Sequence, residues 1–247
     1  QARNAMSGIP DLERLLSRVH TNGLKKKGVD HPDSRAIMYE NPIYNGRKIK
    51  DFADILTGFE RVVKVMKPFQ SNDCKVQSNL LKRAVKSPTD TDGTGGGHFP
   101  LEPLNNLLNH FRSIFDEKQA KKDGNIKPKP GVDDNYDQAK DNVASIKSSF
   151  DKYLIEQKRI TGIDKLQYFG TNKDRYQLEV PVNSCSKVPS NWTSKSQKKT
   201  HRRYWTSDIE KMLASLVKAE TSLAEAQEDT MRAVFEKFDN ARAVWGD

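Results

Sequence analysis

The sequence has almost no cysteine, and no apolar run long enough to matter to a bilayer. Its two cysteines, Cys74 and Cys185, lie far apart and fit neither a disulfide framework nor a metal-ligand spacing, which favours a reducing compartment. No stretch approaches the roughly 20 apolar residues that a membrane-spanning helix needs, and no secretory leader is expected. The five histidines, His20, His31, His98, His110 and His201, are scattered without the spacing of a metal site or an acid–base pair. His31-Pro-Asp33-Ser34 holds the residue types of a hydrolase triad, but adjacent residues cannot take up triad geometry, so a turn and helix cap is the reading. The glycines of Ser87 to His98 are followed by no Gly-Lys-Ser/Thr, so a flexible linker is expected there rather than a phosphate loop. The sequon at Asn191 to Thr193 lacks any secretory context.

Acidic residues are also in short supply. Against 42 Lys and Arg there are 33 Asp and Glu, a net charge of +9, and the pI is near 9.4. That balance argues for an anionic partner, with nucleic acid ahead of a membrane surface. Only 35% of the 247 residues are hydrophobic and 30% are charged, with a mean hydropathy of −0.82. This is lean for a compact globule and suits long, exposed helices in an elongated shape.

What is present is helical periodicity on both sides of one exceptional stretch. Leu12, Leu15, Leu16 and Val19 predict a short helix, and Asn22 to Pro42 reads as a basic loop. Ile49, Phe52, Ile55, Leu56, Phe59, Val62, Val63 and Met66 predict a helix ending before Pro68, with a weaker one over Val76 to Val85. Leu101 to Phe115 continues the pattern, broken after Lys122 by Asp123-Gly124. Tyr136, Ala139, Val143, Ile146, Phe150, Tyr153, Gln157 and Ile160 form a heptad seam within a helix from Val132 to Thr161. Ile209 to Trp245 carries a similar stripe. Neither long helix buries its stripe alone, so the two are expected to pack antiparallel.

The exceptional stretch is Gly162 to Trp205. Leu166-Gln-Tyr168 and Tyr176-Gln-Leu-Glu-Val180 alternate around the turn-rich Gly170 to Asp174, the signature of a hairpin, and Pro181 closes the second strand. Nine Lys and Arg face three acids here, so a surplus of six positive charges sits in this one segment. Asn172, Lys173 and Arg175 on the hairpin, with Lys195, Lys198, Lys199, Arg202 and Arg203 on a returning strand or loop, are the candidates for phosphate contact. Each such contact releases condensed counterions and favours binding without regard to sequence. Tyr168 and Tyr176 alternate with Leu166, Leu178 and Val180 and are expected in the hairpin's core rather than against bases. The competing reading is an interaction scaffold, in which the heptads recruit a coiled coil and the basic run is only solvated.

Pro10 to Leu16, His31 to Glu40, Pro130 to Ala139, Asp174 to Val180 and Lys198 to Thr206 together resemble the MutS mismatch-repair family, and one eukaryotic branch of it. The resemblance runs from Ile9 to Trp245 in order. It implies a mainly α, elongated, antiparallel long-helix lever with a small inserted β-rich clamp at its tip. The boundaries would be 1–47 for a core end with short helix and loop, 48–161 for the first lever helices, 162–205 for the clamp and 206–247 for the return helix. It also implies a nuclear protein that grips double-stranded DNA through its phosphates and pairs, as a whole protein, with MutS homolog 2. ATP and Mg would belong to an ATPase domain for which this sequence has no motif, so neither cofactor nor catalysis is expected of this stretch.

Overall fold

The computed structural model describes residues 6–24, 41–70, 77–85 and 99–245. His31 to Glu40, the 87–98 linker and Cys74 lie outside the described residues. The chain divides into two compact units, one of Gln1–Asp133 with Gln227–Asp247, the other of Asp134–Ala226. The described residues are mostly helical, with one small antiparallel sheet.

The first unit is built on α1 (Leu12–Gly23), α2 (Asn41–Gln70), α3 (Asn79–Val85), α4 (Leu101–Ile114) and α5 (Glu117–Asp123). The last part of α7 (Ser207–Asn240) and the short α8 (Arg242–Trp245) complete it. The Asp11 side chain caps α1 by accepting from the Arg14 N–H at 3.1 Å. Phe52 is the hub of the core, with Phe111, Phe115, Phe235 and Phe238 at centroid distances of 5.7, 6.4, 5.3 and 5.2 Å. Two expectations are corrected here. Helix α2 does not stop before Pro68 but carries it within its last turn, where a missing N–H disturbs only the fraying end. The helix from Leu101 breaks at Phe115, because Asp116 caps a new helix by accepting from the Gln119 N–H at 2.8 Å. Gly124, left-handed at φ 66°, ends α5.

The second unit holds α6 (Asp134–Thr161), the first part of α7 and a four-stranded sheet. Its strands are β1 (Gln167–Phe169), β2 (Gln177–Pro181), β3 (Thr193–Gln197) and β4 (His201–Trp205), in the order β1-β2-β4-β3 with all neighbours antiparallel. The hairpin read around Gly170 is β1–β2. The basic run beyond it forms a second hairpin, β3–β4, closed by Lys198-Lys-Thr200, with the Lys198 N–H donating to the His201 carbonyl at 2.8 Å. Strand β3 is an edge, exposed along its whole length, and a bulge between Ser194 and Ser196 shifts its register against β4.

The sheet's inner face, the α6 seam and α7 share one core. Val143 and Phe150 of α6, Leu178 and Val180 of β2, Tyr204 of β4, and Ile209, Leu216 and Ala219 of α7 are buried together. The Tyr168 hydroxyl donates to the Phe150 carbonyl at 2.9 Å. The heptad reading of α6 is corrected at its end: Ile160 is 56% exposed, while Gln157 and Thr161 are buried, the Thr161 hydroxyl donating to the Gln157 carbonyl at 2.7 Å. A buried hydroxyl bonded to its own helix costs little, so the seam turns polar where the chain leaves for the sheet.

Candidate nucleic-acid interface

Register decides where each candidate cation points. In β2 and β4, Leu178 faces Tyr204 and Val180 faces Arg202, so these four belong to the inner side; Glu179 and Arg203 face each other on the outer side. Strand β2 is buried on both faces, Gln177 and Glu179 included. A strict apolar-in, polar-out alternation would have left them in solvent. Glu179 is covered because its carboxylate accepts from Arg203 Nε at 2.8 Å and from Gln167 Nε2 at 3.2 Å. Only 11% of the Arg203 side chain and 9% of that of Glu179 remain exposed. The guanidinium also lies 3.4 Å above the Phe169 ring. Burial pushes the Glu179 carboxyl up, but the hydrogen bonds from Arg203 and Gln167 outweigh it, and the pKa lies below the ordinary value.

Three of the eight candidates therefore already hold a carboxylate. Arg203 holds Glu179, Arg175 holds Glu220 of α7, and Lys195 lies 3.2 Å from Glu210 with its ammonium 4.7 Å over the Trp205 ring. Arg202 is half-buried beside Tyr204, and its Nε has no hydrogen-bond partner. The Tyr204 hydroxyl is raised by burial and by Cys185, against the pull of Arg202.

The remaining four, Asn172, Lys173, Lys198 and Lys199, are exposed and paired with no acid among the described residues. They do not form a single cluster. The turn at Lys198 and Lys199 lies at the end of the sheet where Pro181 faces His201, whereas Asn172 and Lys173 lie at the other end, ahead of Gln177. Strands of five residues separate the two groups by roughly 15 Å at about 3.3 Å per residue. The sequence signalled the charges but not this division, since the acid partners are distant in the chain: Glu220 stands 45 positions from Arg175 and Glu179 stands 24 from Arg203.

Among the described residues no cluster of three or more His, Cys, Asp or Glu is arranged to hold a metal, and no helix is long and apolar enough to cross a membrane. A domain model described as MutS family domain IV matches residues 131–222, nearly the second unit. The chain belongs to the MutS family. It is 39% identical to the DNA mismatch repair protein Msh6 of Gallus gallus over 96% of its own length and 17% of that protein's. The same figures hold against Msh6 of Homo sapiens. Against the probable Msh6 of Drosophila melanogaster it is 37% identical over 99% of this chain and 20% of that one. The eukaryotic branch expected from the sequence is thus the Msh6 one, and this MutS chain spans a fifth or less of the curated relatives it matches.

Proposed function

We propose that this stretch is the lever and clamp of a mismatch-repair protein of the MutS type, with the β sheet as the clamp and the long helices as the lever. The clamp grips duplex DNA by its phosphates, without reading sequence. The observation that supports this best is the β3–β4 turn: two adjacent lysines, exposed and without acid partners among the described residues, while Arg175, Lys195 and Arg203 are each tied to a carboxylate. Mobile ammonium groups on a fixed turn suit backbone contact, which positions a protein and carries no sequence information. In the intact protein the helices couple DNA contact to an ATPase using ATP and Mg, in the nucleus and alongside MutS homolog 2.

A photocrosslinking residue placed at position 199 of the intact protein tests the grip. Duplexes of unrelated sequence should crosslink in equal yield, and the yield should fall as salt rises. No adduct at any salt concentration, or an adduct with one sequence only, overturns the reading.

Exposed apolar side chains favour a second reading, a protein-binding scaffold. Ile155 of α6 is 68% exposed and Val217 of α7 51%. Size-exclusion with and without a short duplex separates the two, since a self-associated species indifferent to DNA supports the scaffold.

A further inference from the structure

The connection between β1 and β2 is held in a conformation that its residue types resist. Asn172 and Tyr176 both sit at positive φ, 52° and 62°, a region unfavourable for most side chains and especially for a bulky one. Gly170, at φ 104°, packs so closely on the Asp174 carbonyl that no side chain fits there. Such a backbone persists only where its surroundings over-determine it.

Two contacts supply that constraint. The Tyr176 ring lies flat on Phe150 of α6, with centroids 3.9 Å apart and planes 16° apart, and meets Tyr168 edge-on at 5.2 Å. Arg175 reaches across to α7, its Nη1 3.0 Å from Glu220 Oε1 and its Nη2 2.5 Å from Oε2. This two-pronged match is one that only a guanidinium makes with a carboxylate. The side chains are 24% and 33% exposed, so water screens the pair only in part. Asn172 and Lys173 lie between the glycine and this anchor, held out into solvent.

We propose that Arg175 is a positioning residue rather than a phosphate contact: its fork with Glu220 anchors the β1–β2 connection to α7 and so presents Asn172 and Lys173 to the duplex backbone. The proposal rests on the DNA-binding reading above. The fork to Glu220 takes one N–H from each outer nitrogen of Arg175, and Nε is buried, so a phosphate drawn to the remaining N–H groups would have to sit beside the Glu220 carboxylate, anion against anion. With the anchor in place, Lys173 loses little freedom on meeting a phosphate; without it, the strained backbone relaxes and the lysine must be ordered again at each encounter.

The sign of one substitution separates the two roles. Glu220→Gln removes a negative charge and frees Arg175, so if Arg175 grips phosphate the duplex should bind more tightly. Under the positioning role binding weakens instead, by up to roughly eightfold at ~0.1 M salt for one lost contact, and the slope of log affinity against log salt shrinks by about 0.9. Arg175→Lys keeps the charge but loses the fork, and should behave likewise. Hydrogen exchange on the intact protein without DNA supplies an independent readout: amides 171–176 should exchange at least tenfold faster in both variants, with 201–205 unchanged. Unaltered exchange, or tighter or unchanged duplex binding by Glu220→Gln, overturns the proposal. Its failure stays distinct from that of the DNA-binding reading, which is tested separately by the crosslink at position 199 and is lost if neutralising Lys198 and Lys199 also leaves affinity and salt slope where they were.

Discussion

Neutralising the β3–β4 turn with Lys198→Gln and Lys199→Gln should change the salt dependence of duplex binding by a calculable amount. Both side chains are exposed, neither pairs with an acid among the described residues, and the turn is closed by a backbone hydrogen bond that the substitutions leave alone. Folding should therefore be preserved, with the melting temperature of the intact protein moving by no more than a degree or two, as for surface changes of under ~0.5 kcal/mol. Each phosphate contact contributes about 0.9 to the slope of log affinity against log salt, so the double variant should lose about 1.8. Near 0.1 M salt that corresponds to roughly sixtyfold weaker binding, or about 2.4 kcal/mol. Fluorescence anisotropy with a labelled duplex at four or five ionic strengths measures both quantities. The reference is Arg203→Gln, whose charge is already spent on Glu179: it should lower stability and leave the slope nearly unchanged. A double variant with the wild-type slope, or an Arg203 variant that loses as much slope as the turn, refutes the reasoning.

Glu179 makes a pH prediction. Its folded pKa lies below the ordinary carboxyl value of 4.5, so the pair with Arg203 contributes stability that is fully present above about 4.5 and lost as pH falls through the lower folded value. Glu179→Gln should flatten that acid limb and cost about 2 kcal/mol near neutrality, between an exposed pair and a fully buried one; urea titrations at pH 3.5, 4.5 and 7 would check it. Gly170→Ala should be the most damaging single methyl in the sheet, because the added carbon meets the Asp174 carbonyl at a positive φ; near-ultraviolet circular dichroism of the tyrosines should lose intensity, and an unchanged spectrum with unchanged stability would contradict the strained turn. Phe150→Ala and Leu216→Ala, both fully buried in the second unit's core, should each cost about 3 kcal/mol. In the intact protein they should also weaken the response of duplex affinity to ATP, and an unaltered response with the helices intact would defeat the lever role.

The first hairpin was legible because its two strands alternate around a glycine and one face of β2 meets a core. The second was not, for a physical reason: Thr193-Ser-Lys-Ser-Gln197 is an exposed edge and has no apolar face to betray a period of two. Only its partner, His201 to Trp205, ending on two aromatics, carried a trace of the pairing. Gln177 and Glu179 misled in the opposite direction, since a strand flanked on both sides and roofed by an arginine over a phenylalanine buries its polar residues too. The helix stripes located the cores well, Phe52 and Phe150 above all, but not the break at Asp116, where one carboxylate over a backbone N–H outweighs the continuing pattern. Among the cations, counting charges located the basic segment. It could not separate the lysines that remain free from the arginines that hold the sheet together, because that depends on carboxylates which only the fold brings near.

The irregular register of β3 has a consequence for solubility. A strand paired on one side only is an open template onto which a strand of a neighbouring molecule could stack. Its kink at Ser194 and Ser196, and its lack of any oily side chain, deny a visiting strand both straight geometry and a dry surface to bury. The sheet thus ends at four strands, with its open edge guarded against copies of itself.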